Sequence, residues 1–168
     1  MEPLTSDQIA GSFVNCSKGR AQAIAIPDLS HVTWGQLDFF GWRNPRTPQR
    51  AWLATWLDSE PVALELRYEQ RSGTHTSRTA MCDFCLTVHS AGGVRLFAAT
   101  RAGAAGKSGN SLGKYMCADL ECSRYVRGLK KPVRVQPQTT ATPDQRIARL
   151  TKTVTGFVGQ VCGRGTRD

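Results

Sequence analysis

The chain has 168 residues, of which 40% are hydrophobic, and its 22 Lys and Arg outnumber its 13 Asp and Glu to give a formal net charge of +9. Such a chain can bury the core of one domain or of two small ones. It contains no apolar run near the roughly 18 residues of a membrane helix, and residues 1–20 lack the basic start and apolar stretch of a signal peptide, so we expect a cytoplasmic protein.

The first elements in chain order are a short helix and an ordered loop. Residues 5–16 predict the helix, which Thr5 or Ser6 can cap and which has two apolar side chains on one face. Prolines and glycines predict irregular structure for residues 27–49. This stretch nevertheless carries large apolar side chains that must pack against a core, namely Trp34, Leu37, Phe39, Phe40 and Trp42.

A hairpin is predicted next, with strands at residues 51–57 and 62–69 around a turn at residues 58–61. In the second strand large apolar residues alternate with small or charged ones, the period of a sheet with one face in water. Residues 70–79 are polar and predict a loop.

The second half is predicted to alternate short elements with turns. A tight cysteine-containing turn at 81–86 is followed by a turn at Gly92-Gly93, a strand at 94–99, an exposed loop at 101–113 and a short helix at 117–127 that ends at Gly128. The proline-containing residues 130–143 predict a connector. The last helix opens at Pro143-Asp144 and ends at Gly163, with one apolar stripe formed by Ile147, Leu150, Val154, Phe157, Val158 and Val161.

The charge is unevenly distributed along the chain. Residues 1–80 hold eight basic and eight acidic side chains, whereas residues 81–168 hold 14 basic and five acidic ones. A field of this kind raises the local concentration of anionic partners such as RNA, a ribosome surface or an acidic protein face. A basic face that serves only solubility is the alternative.

Four cysteines form two close pairs, Cys82-x2-Cys85 and Cys117-x4-Cys122, separated by 31 residues. This spacing is typical of four thiolates around one tetrahedral zinc ion at about 2.3 Å. Five residues of a helix turn about 500°, so we expect Cys117 just before a helix and Cys122 in its first turn. A knuckle, a hairpin and a helix that carries ligands form a treble clef. We therefore predict one structural Zn²⁺ in a closed four-cysteine shell.

The other readings of these residues are less favourable. A disulfide is disfavoured in a reducing cytosol, and a redox Cys-x-x-Cys motif would not need the second pair. Cys16 and Cys162 have no paired spacing and are expected to be small core or near-surface residues. His89 follows Cys85 by four positions and could replace a ligand, but we expect it at the surface or beside the ligands.

No catalytic constellation is recognisable in the sequence. Gly106-Lys107-Ser108 is similar to the end of a phosphate-binding loop, but Arg101 stands where that loop needs a glycine. The acidic residues are few and scattered. We therefore expect a protein that is not an enzyme and does not hydrolyse nucleotides.

Residues 81–128 resemble the treble-clef zinc finger of the FusB-type, elongation factor G-binding proteins, also called FBP-domain proteins. The matching features are both cysteine pairs, the Val-x-Leu-Phe strand at 94–97, the Gly-Asn-Ser-Leu-Gly turn at 109–113 and the Tyr-Met-Cys-Ala-Asp segment at 115–119. Residues 37–49 are similar to short actinobacterial-type members. The fusidic acid resistance proteins carry a longer helical N-terminal domain, which this chain replaces by a short helix, an aromatic loop and a hairpin.

The resemblance implies a non-catalytic protein that binds elongation factor G through its zinc domain. In the resistance members this binding helps to release the factor from the ribosome. The four metal positions carry over as Cys82, Cys85, Cys117 and Cys122. The expected fold is α+β: a treble-clef zinc finger with a small antiparallel sheet, a short N-terminal helix and an amphipathic C-terminal helix. We expect residues 1–79 to pack on a zinc domain at 80–168.

We expect partner-binding residues near the metal hairpin and its loop, because aromatic and arginine side chains make good interface anchors. They are Arg95, Phe97, Arg101, Lys107, Lys114, Tyr115, Arg124 and Arg127. Core packing is an equal alternative for Phe97, and a solvated face is the alternative for the basic residues. Direct binding of ribosomal or other RNA by a basic zinc module is the alternative to binding elongation factor G.

Overall fold

The computed structural model describes residues 1–68 and 79–164. In chain order its elements are α1 (Ser6–Gly11), α2 (Lys18–Gln22), a 3-10 turn (Trp34–Gln36), β1 (Phe40–Arg43), β2 (Arg50–Leu57), β3 (Glu60–Tyr68), β4 (Ala80–Met81), β5 (Val88–His89), β6 (Val94–Thr100), α3 (Gly103–Lys107), β7 (Ser111–Cys117), α4 (Cys122–Val126) and α5 (Pro143–Cys162). Strands β1, β2, β3, β6 and β7 form one antiparallel sheet in that order, and β4 pairs with β5. The predicted α+β class is confirmed.

The β2–β3 hairpin closes with a two-residue turn. Both turn residues, Asp58 and Ser59, have positive φ angles of 51° and 65°, the conformation whose twist matches that of paired strands. The predicted four-residue turn is therefore too long, since Glu60 and Pro61 already belong to β3.

One face of the sheet packs against α5. Apolar side chains of the sheet such as Leu53, Leu64 and Phe97 are fully buried in this core. Each such side chain contributes about 1.5–3 kcal/mol to the stability of the fold. The predicted stripe of α5 is confirmed, because all of its members are buried in this core except Ile147, which packs at its margin. Thr142 caps the helix through a capping box with Gln145.

The other face of the sheet is only partly in water. A second cluster covers it at one end, where Trp42 stacks on Trp52 at 5.8 Å and Ala63 is completely buried beneath Ile9 of α1. The prediction of one wet face is wrong for this end of β3. Its physical reason is the aromatic loop, which folds back over the sheet and buries its tryptophans there.

Strand β1 was not predicted. It lies within the stretch that was expected to be irregular, and it pairs with β2 from Phe40–Ala54 to Arg43–Ala51. Gly41 suggested a break, but a Cβ atom there would lie 2.6 Å from the Cβ atom of Leu120. The glycine therefore permits a close approach between β1 and the metal-binding loop rather than ending a strand.

The N-terminal segment connects the two halves of the sheet. β3 and β6 pair at only two positions, Arg67–Ala98 and Tyr68–Phe97. Beyond them the Asn15 amide group donates from Nδ2 to the carbonyl oxygens of Glu65 (2.8 Å) and Thr100 (3.1 Å), and its Oδ1 accepts from the Glu65 N–H (2.8 Å). The Asn15 side chain thus replaces the missing ladder hydrogen bonds between the diverging strands.

Three other local predictions can be compared with the structure. The first helix is shorter than residues 5–16 and ends at Gly11. The exposed loop predicted at 101–113 is wrong, because this segment contains α3 and the start of β7. The connector is confirmed, since no helix or strand occurs between α4 and α5, while most of the loop predicted at 70–79 lies outside the described residues.

Membrane insertion was also considered. Among residues 1–68 and 79–164, no helix combines the length and the apolar character that crossing a membrane requires.

Asp38 joins four parts of the fold. Its carboxylate, 4% exposed, accepts from both terminal nitrogens of Arg127 (2.5 and 3.2 Å) and from the Thr151 hydroxyl (2.9 Å). Its backbone N–H donates to the Ser123 hydroxyl, and its carbonyl oxygen accepts from the Thr55 hydroxyl. The aromatic loop, β2, α4 and α5 are therefore held together at one residue, through its carboxylate and its backbone.

Replacing Asp38 by alanine should destabilise the protein by about 3 kcal/mol, because Arg127 would remain nearly buried without its counter-charge. Urea unfolding of the zinc-loaded protein measures this change. The matched control is Glu60→Ala, which removes an exposed ion pair with Arg164 and should cost less than about 1 kcal/mol. Equal costs for the two variants would contradict the structural role of Asp38.

Candidate metal centre

The first cysteine pair lies in the turn between β4 and β5. The Leu86 N–H donates to the Cys82 carbonyl oxygen (2.9 Å), with Leu86 at a positive φ of 58°. The turn is held to β7 by two hydrogen bonds, from the Asp83 N–H to the Tyr115 carbonyl oxygen (2.7 Å) and from the Tyr115 N–H to the Asp83 carboxylate (2.8 Å). This knuckle directs the sulfurs of Cys82 and Cys85 to one point.

The second pair is placed by the end of a strand and the start of a helix. Cys117 is the last residue of β7, and Cys122 is the first residue of α4. Between them Leu120 has a positive φ of 60° and donates its N–H to the Cys117 carbonyl oxygen. The expectation that Cys117 precedes the helix and Cys122 lies in its first turn is confirmed.

The four sulfurs form one compact cluster. All lie within 4.8 Å of one another, and all four cysteines are buried. The Sγ atoms are 3.6 Å apart for Cys82 and Cys122 and 3.4 Å apart for Cys85 and Cys117. A tetrahedral zinc with Zn–S bonds of about 2.3 Å requires S–S distances of about 3.8 Å, so the cluster fits this ion with small adjustments.

The four thiols strongly affect one another's ionisation. Hydrogen bonds with Cys117, Cys122 and Cys82 hold the pKa of the Cys85 thiol far below its ordinary value. Hydrogen bonds with Cys117, Cys82 and Cys85, followed by burial, raise the pKa of the Cys122 thiol. Four thiolates this close are compatible only around a divalent ion, and with Zn²⁺ the cluster carries a formal charge of −2. The predicted cofactor, one structural zinc, is confirmed.

His89 lies beside the metal ligands rather than among them. It is buried, its Nε2 atom is 3.3 Å from the Cys117 sulfur, and its ring packs edge-on against Tyr125 at 4.9 Å. A Cβ atom on Gly93 would lie 2.5 Å from the His89 Cβ atom, so this glycine makes room for the imidazole. A ring N–H that donates to a ligand sulfur orients that ligand and tunes the metal.

A polar network closes the loop between the second pair of cysteines. Asp119 accepts from the Tyr125 hydroxyl (2.8 Å) and from Lys130 (2.9 Å), and Lys130 also donates to Glu121 (2.6 Å). Burial opposes ionisation of Asp119, but the hydrogen bonds of Lys130, the Glu121 N–H and Tyr125 prevail and lower its pKa. Burial and the bond to Asp119 raise the pKa of Tyr125. Sequence analysis missed this network.

Two arginines of α5 supply positive charge near the cluster. Arg146 and Arg149 line a cavity of about 370 Å³ together with Cys85. Arg149 also approaches the Cys85 carbonyl oxygen at 3.5 Å. Cations near a −2 cluster stabilise it, so α5 contributes to the metal centre as well as to the core.

Four of the eight candidate partner-binding residues have structural contacts. Phe97 is completely buried in the core, and so the surface interpretation of this residue is wrong. Arg127 is nearly buried on Asp38, and Arg101 donates to the Gln160 carbonyl oxygen at the end of α5 (3.1 and 3.3 Å). Arg124 pairs with a glutamate one turn before it.

Among the other four, Tyr115 is 50% exposed and Lys107 is exposed at the end of α3, whereas Lys114 and Arg95 are half-buried on the β6–β7 hairpin. The knuckle adds two exposed apolar side chains that sequence analysis missed, Met81 (48%) and Leu86 (41%). The sequence did offer one indication of their location, because Met81 directly precedes Cys82 and Leu86 directly follows Cys85.

The protein should contain one zinc ion per chain, measured by elemental analysis. The Cys117→Ser, Cys122→Ser double variant should lose both zinc and the folded circular dichroism spectrum, whereas Cys16→Ser, Cys162→Ser should keep both. Acidification should release the ion, because protons compete with zinc for the four sulfurs. Full folding of the wild-type chain in strong chelator without metal would contradict this prediction.

Replacing His89 by alanine should weaken zinc binding by about 10- to 100-fold, because Cys117 loses its orienting partner. Competition with a chromogenic chelator measures this change. The control is His31→Ala, which removes an exposed histidine far from the cysteines in sequence. Unchanged zinc affinity in the His89 variant would show that the imidazole only fills space.

Comparison with known proteins extends these observations beyond the cysteines. The family model "FBP C-terminal treble-clef zinc-finger" matches residues 8–161. Among solved structures, "Structure of the fusidic acid resistance protein FusC" is similar with a TM-score of 0.54 and 16% sequence identity, covering 74% of this chain and 53% of that one. At this identity the likeness is one of fold, and the chain spans about half of that protein's length.

A search among curated proteins found no significant match. The family match includes the N-terminal strands, both cysteine pairs and nearly all of α5. The chain therefore belongs to the FBP C-terminal treble-clef zinc-finger family.

Proposed function

We propose that this protein is a non-catalytic zinc module that binds translation elongation factor G and modulates its interaction with the ribosome. The observation that carries the proposal is the family match over residues 8–161. The sequence resemblance of residues 81–128 to FusB-type elongation factor G-binding proteins supports the same partner. The fold shared with the FusC structure is consistent with it.

The metal centre favours a binding role. A zinc ion held by four cysteine sulfurs has no open position for a substrate or an activated water. Gly106, Lys107 and Ser108 lie at the end of the five-residue α3 instead of between a strand and a long helix, where a phosphate-binding loop occurs. Neither feature supports hydrolysis of a nucleotide.

We place the docking face on the knuckle and the neighbouring end of β7, which carry three exposed apolar side chains and one half-buried lysine. We name it the knuckle surface, and it consists of Met81, Leu86, Lys114 and Tyr115. Methionine and aromatic side chains are enriched in interfaces, and basic side chains at the rim steer an acidic partner. The zinc ion holds the knuckle and the end of β7 in fixed relative positions, so loss of the metal would disperse this surface.

Replacing Leu86 by asparagine should weaken retention of purified elongation factor G by about tenfold, as expected for loss of an apolar interface anchor. Asparagine tolerates the positive φ of this position better than leucine does, so the knuckle should keep its shape. The measurement is a pull-down or a titration with zinc-loaded protein. Val133→Asn, an equivalent change of an exposed residue in the connector, serves as the control.

Ribosomes and bare ribosomal RNA are tested separately in the same assay. Retention of RNA without any retention of the factor would sink the proposal in favour of direct RNA binding by the zinc half. Salt provides a second criterion, since 6–10 phosphate contacts lose about 10³–10⁵ in affinity between 50 and 200 mM salt. A protein interface with apolar anchors should weaken much less.

A further inference from the structure

Among the residues that the structure describes, nothing covers one end of the sheet's outer face, which forms a groove of about 740 Å³. Cross-strand partners point to the same face of a sheet, and the pairs that meet here are Arg50–Arg67, Arg67–Ala98, Leu96–Tyr115 and Thr100–Ser111. The second hydrophobic cluster covers only the opposite end of this face. The groove is thus a separate surface from the knuckle, although Tyr115 borders both.

The floor of the groove combines one large apolar side chain with small residues. Leu96 and Ala98 line it, and Ala98 lies opposite Gly113 in the β6–β7 ladder. A Cβ atom on Gly113 would lie 3.1 Å from the Leu96 side chain, so the half-buried Leu96 covers this glycine. Tyr115, the cross-strand partner of Leu96, is 50% exposed beside it. A planar apolar group can lie on this floor.

One wall of the groove is cationic. The groove continues into a depression of about 270 Å³ that Arg20, Arg50, Glu65 and Arg67 line. Glu65 accepts from Arg20 (2.7 Å) and from Arg50 (2.7 Å). Arg67 is exposed and forms no ion pair with the residues that the structure describes. Three guanidinium groups against one carboxylate leave a surplus of positive charge.

We propose that this groove binds single-stranded RNA. The guanidinium groups of Arg20, Arg50 and Arg67 receive backbone phosphates in the bidentate geometry that they favour. A base lies on the floor formed by Leu96 and Ala98, with Tyr115 as a stacking neighbour, and the Thr100 and Ser111 hydroxyls face the ribose. A cationic groove beside an aromatic side chain on which a base can stack is the arrangement that proteins use for single strands without sequence preference.

RNA fits these features better than an acidic peptide does. A peptide needs carboxylates for the arginines, whereas the apolar floor beside them suits a planar base. The net charge of +9 adds a general attraction for a polyanion. The proposal does not depend on elongation factor G, because Leu86, whose substitution tests that partner, does not line the groove.

The test is a titration of zinc-loaded protein with a fluorescent, mixed-sequence RNA strand of about 12 nucleotides, near the site size of such grooves. Arg67→Glu should weaken binding by about tenfold or more and flatten its dependence on salt. The matched control, Arg134→Glu, makes the same charge change on an exposed connector residue and should weaken binding by less than about threefold. Ser111→Glu, which puts an acid at the other wall, should also weaken it.

Photo-crosslinking with 4-thiouridine-labelled RNA locates the strand independently. Crosslinks to β6 or to the first residues of β7 support the groove. Three results would overturn it: no binding at low salt, equal losses in the Arg67 and Arg134 variants, or crosslinks confined to the connector and α5. Zinc content and melting temperature of each variant show whether the fold is intact. If Arg67→Glu is unfolded, RNA binding by Ser111→Glu tests the groove instead.

Discussion

The arrangement of the zinc half depends on one electrostatic constraint, namely that four buried thiolates must share a divalent ion. The ion fixes the knuckle to the end of β7 and to the first turn of α4, three segments that make few other regular hydrogen bonds with one another. Contacts around the metal centre extend to its surroundings. His89 lies against the Cys117 sulfur, and Asp119 accepts hydrogen bonds from Tyr125 and Lys130. The metal centre thereby determines the shape of the surface around it.

The two faces of the sheet are covered by other elements to different extents. One face receives α5 and becomes the main core, whereas the other receives α1 and the aromatic loop over only part of its length. Full coverage would have given a larger core but no groove. The part that the described residues leave uncovered carries small residues and arginines beside Leu96 and Tyr115, so exposing it costs less hydrophobic free energy than exposing the tryptophan-rich end would.

Local patterns in the sequence were sufficient for features that depend on nearby residues. The cysteine spacing indicated the metal site, and the apolar stripe with its capping residues indicated α5. Strand β1 could not be predicted, because its strand conformation depends on pairing with β2 and on the space that Gly41 leaves for Leu120. The contact between Asp38 and Arg127 joins residues 89 positions apart, and no local pattern indicates such a pair. Residues 1–80 have no net charge, so their composition did not indicate a basic patch. The fold nevertheless brings Arg20, Arg50 and Arg67 together beside Glu65.

The side chain of Asn15 has a consequence for how the chain assembles during synthesis. It links β3 to the Thr100 carbonyl oxygen, 85 positions further along the chain. An N-terminal segment that emerges early must therefore wait for β6 before its hydrogen bonds are complete, and contacts of such long range slow folding. The β2–β3 hairpin and α1 can form on the ribosome in advance, but the sheet closes only after the first cysteine pair has left the exit tunnel.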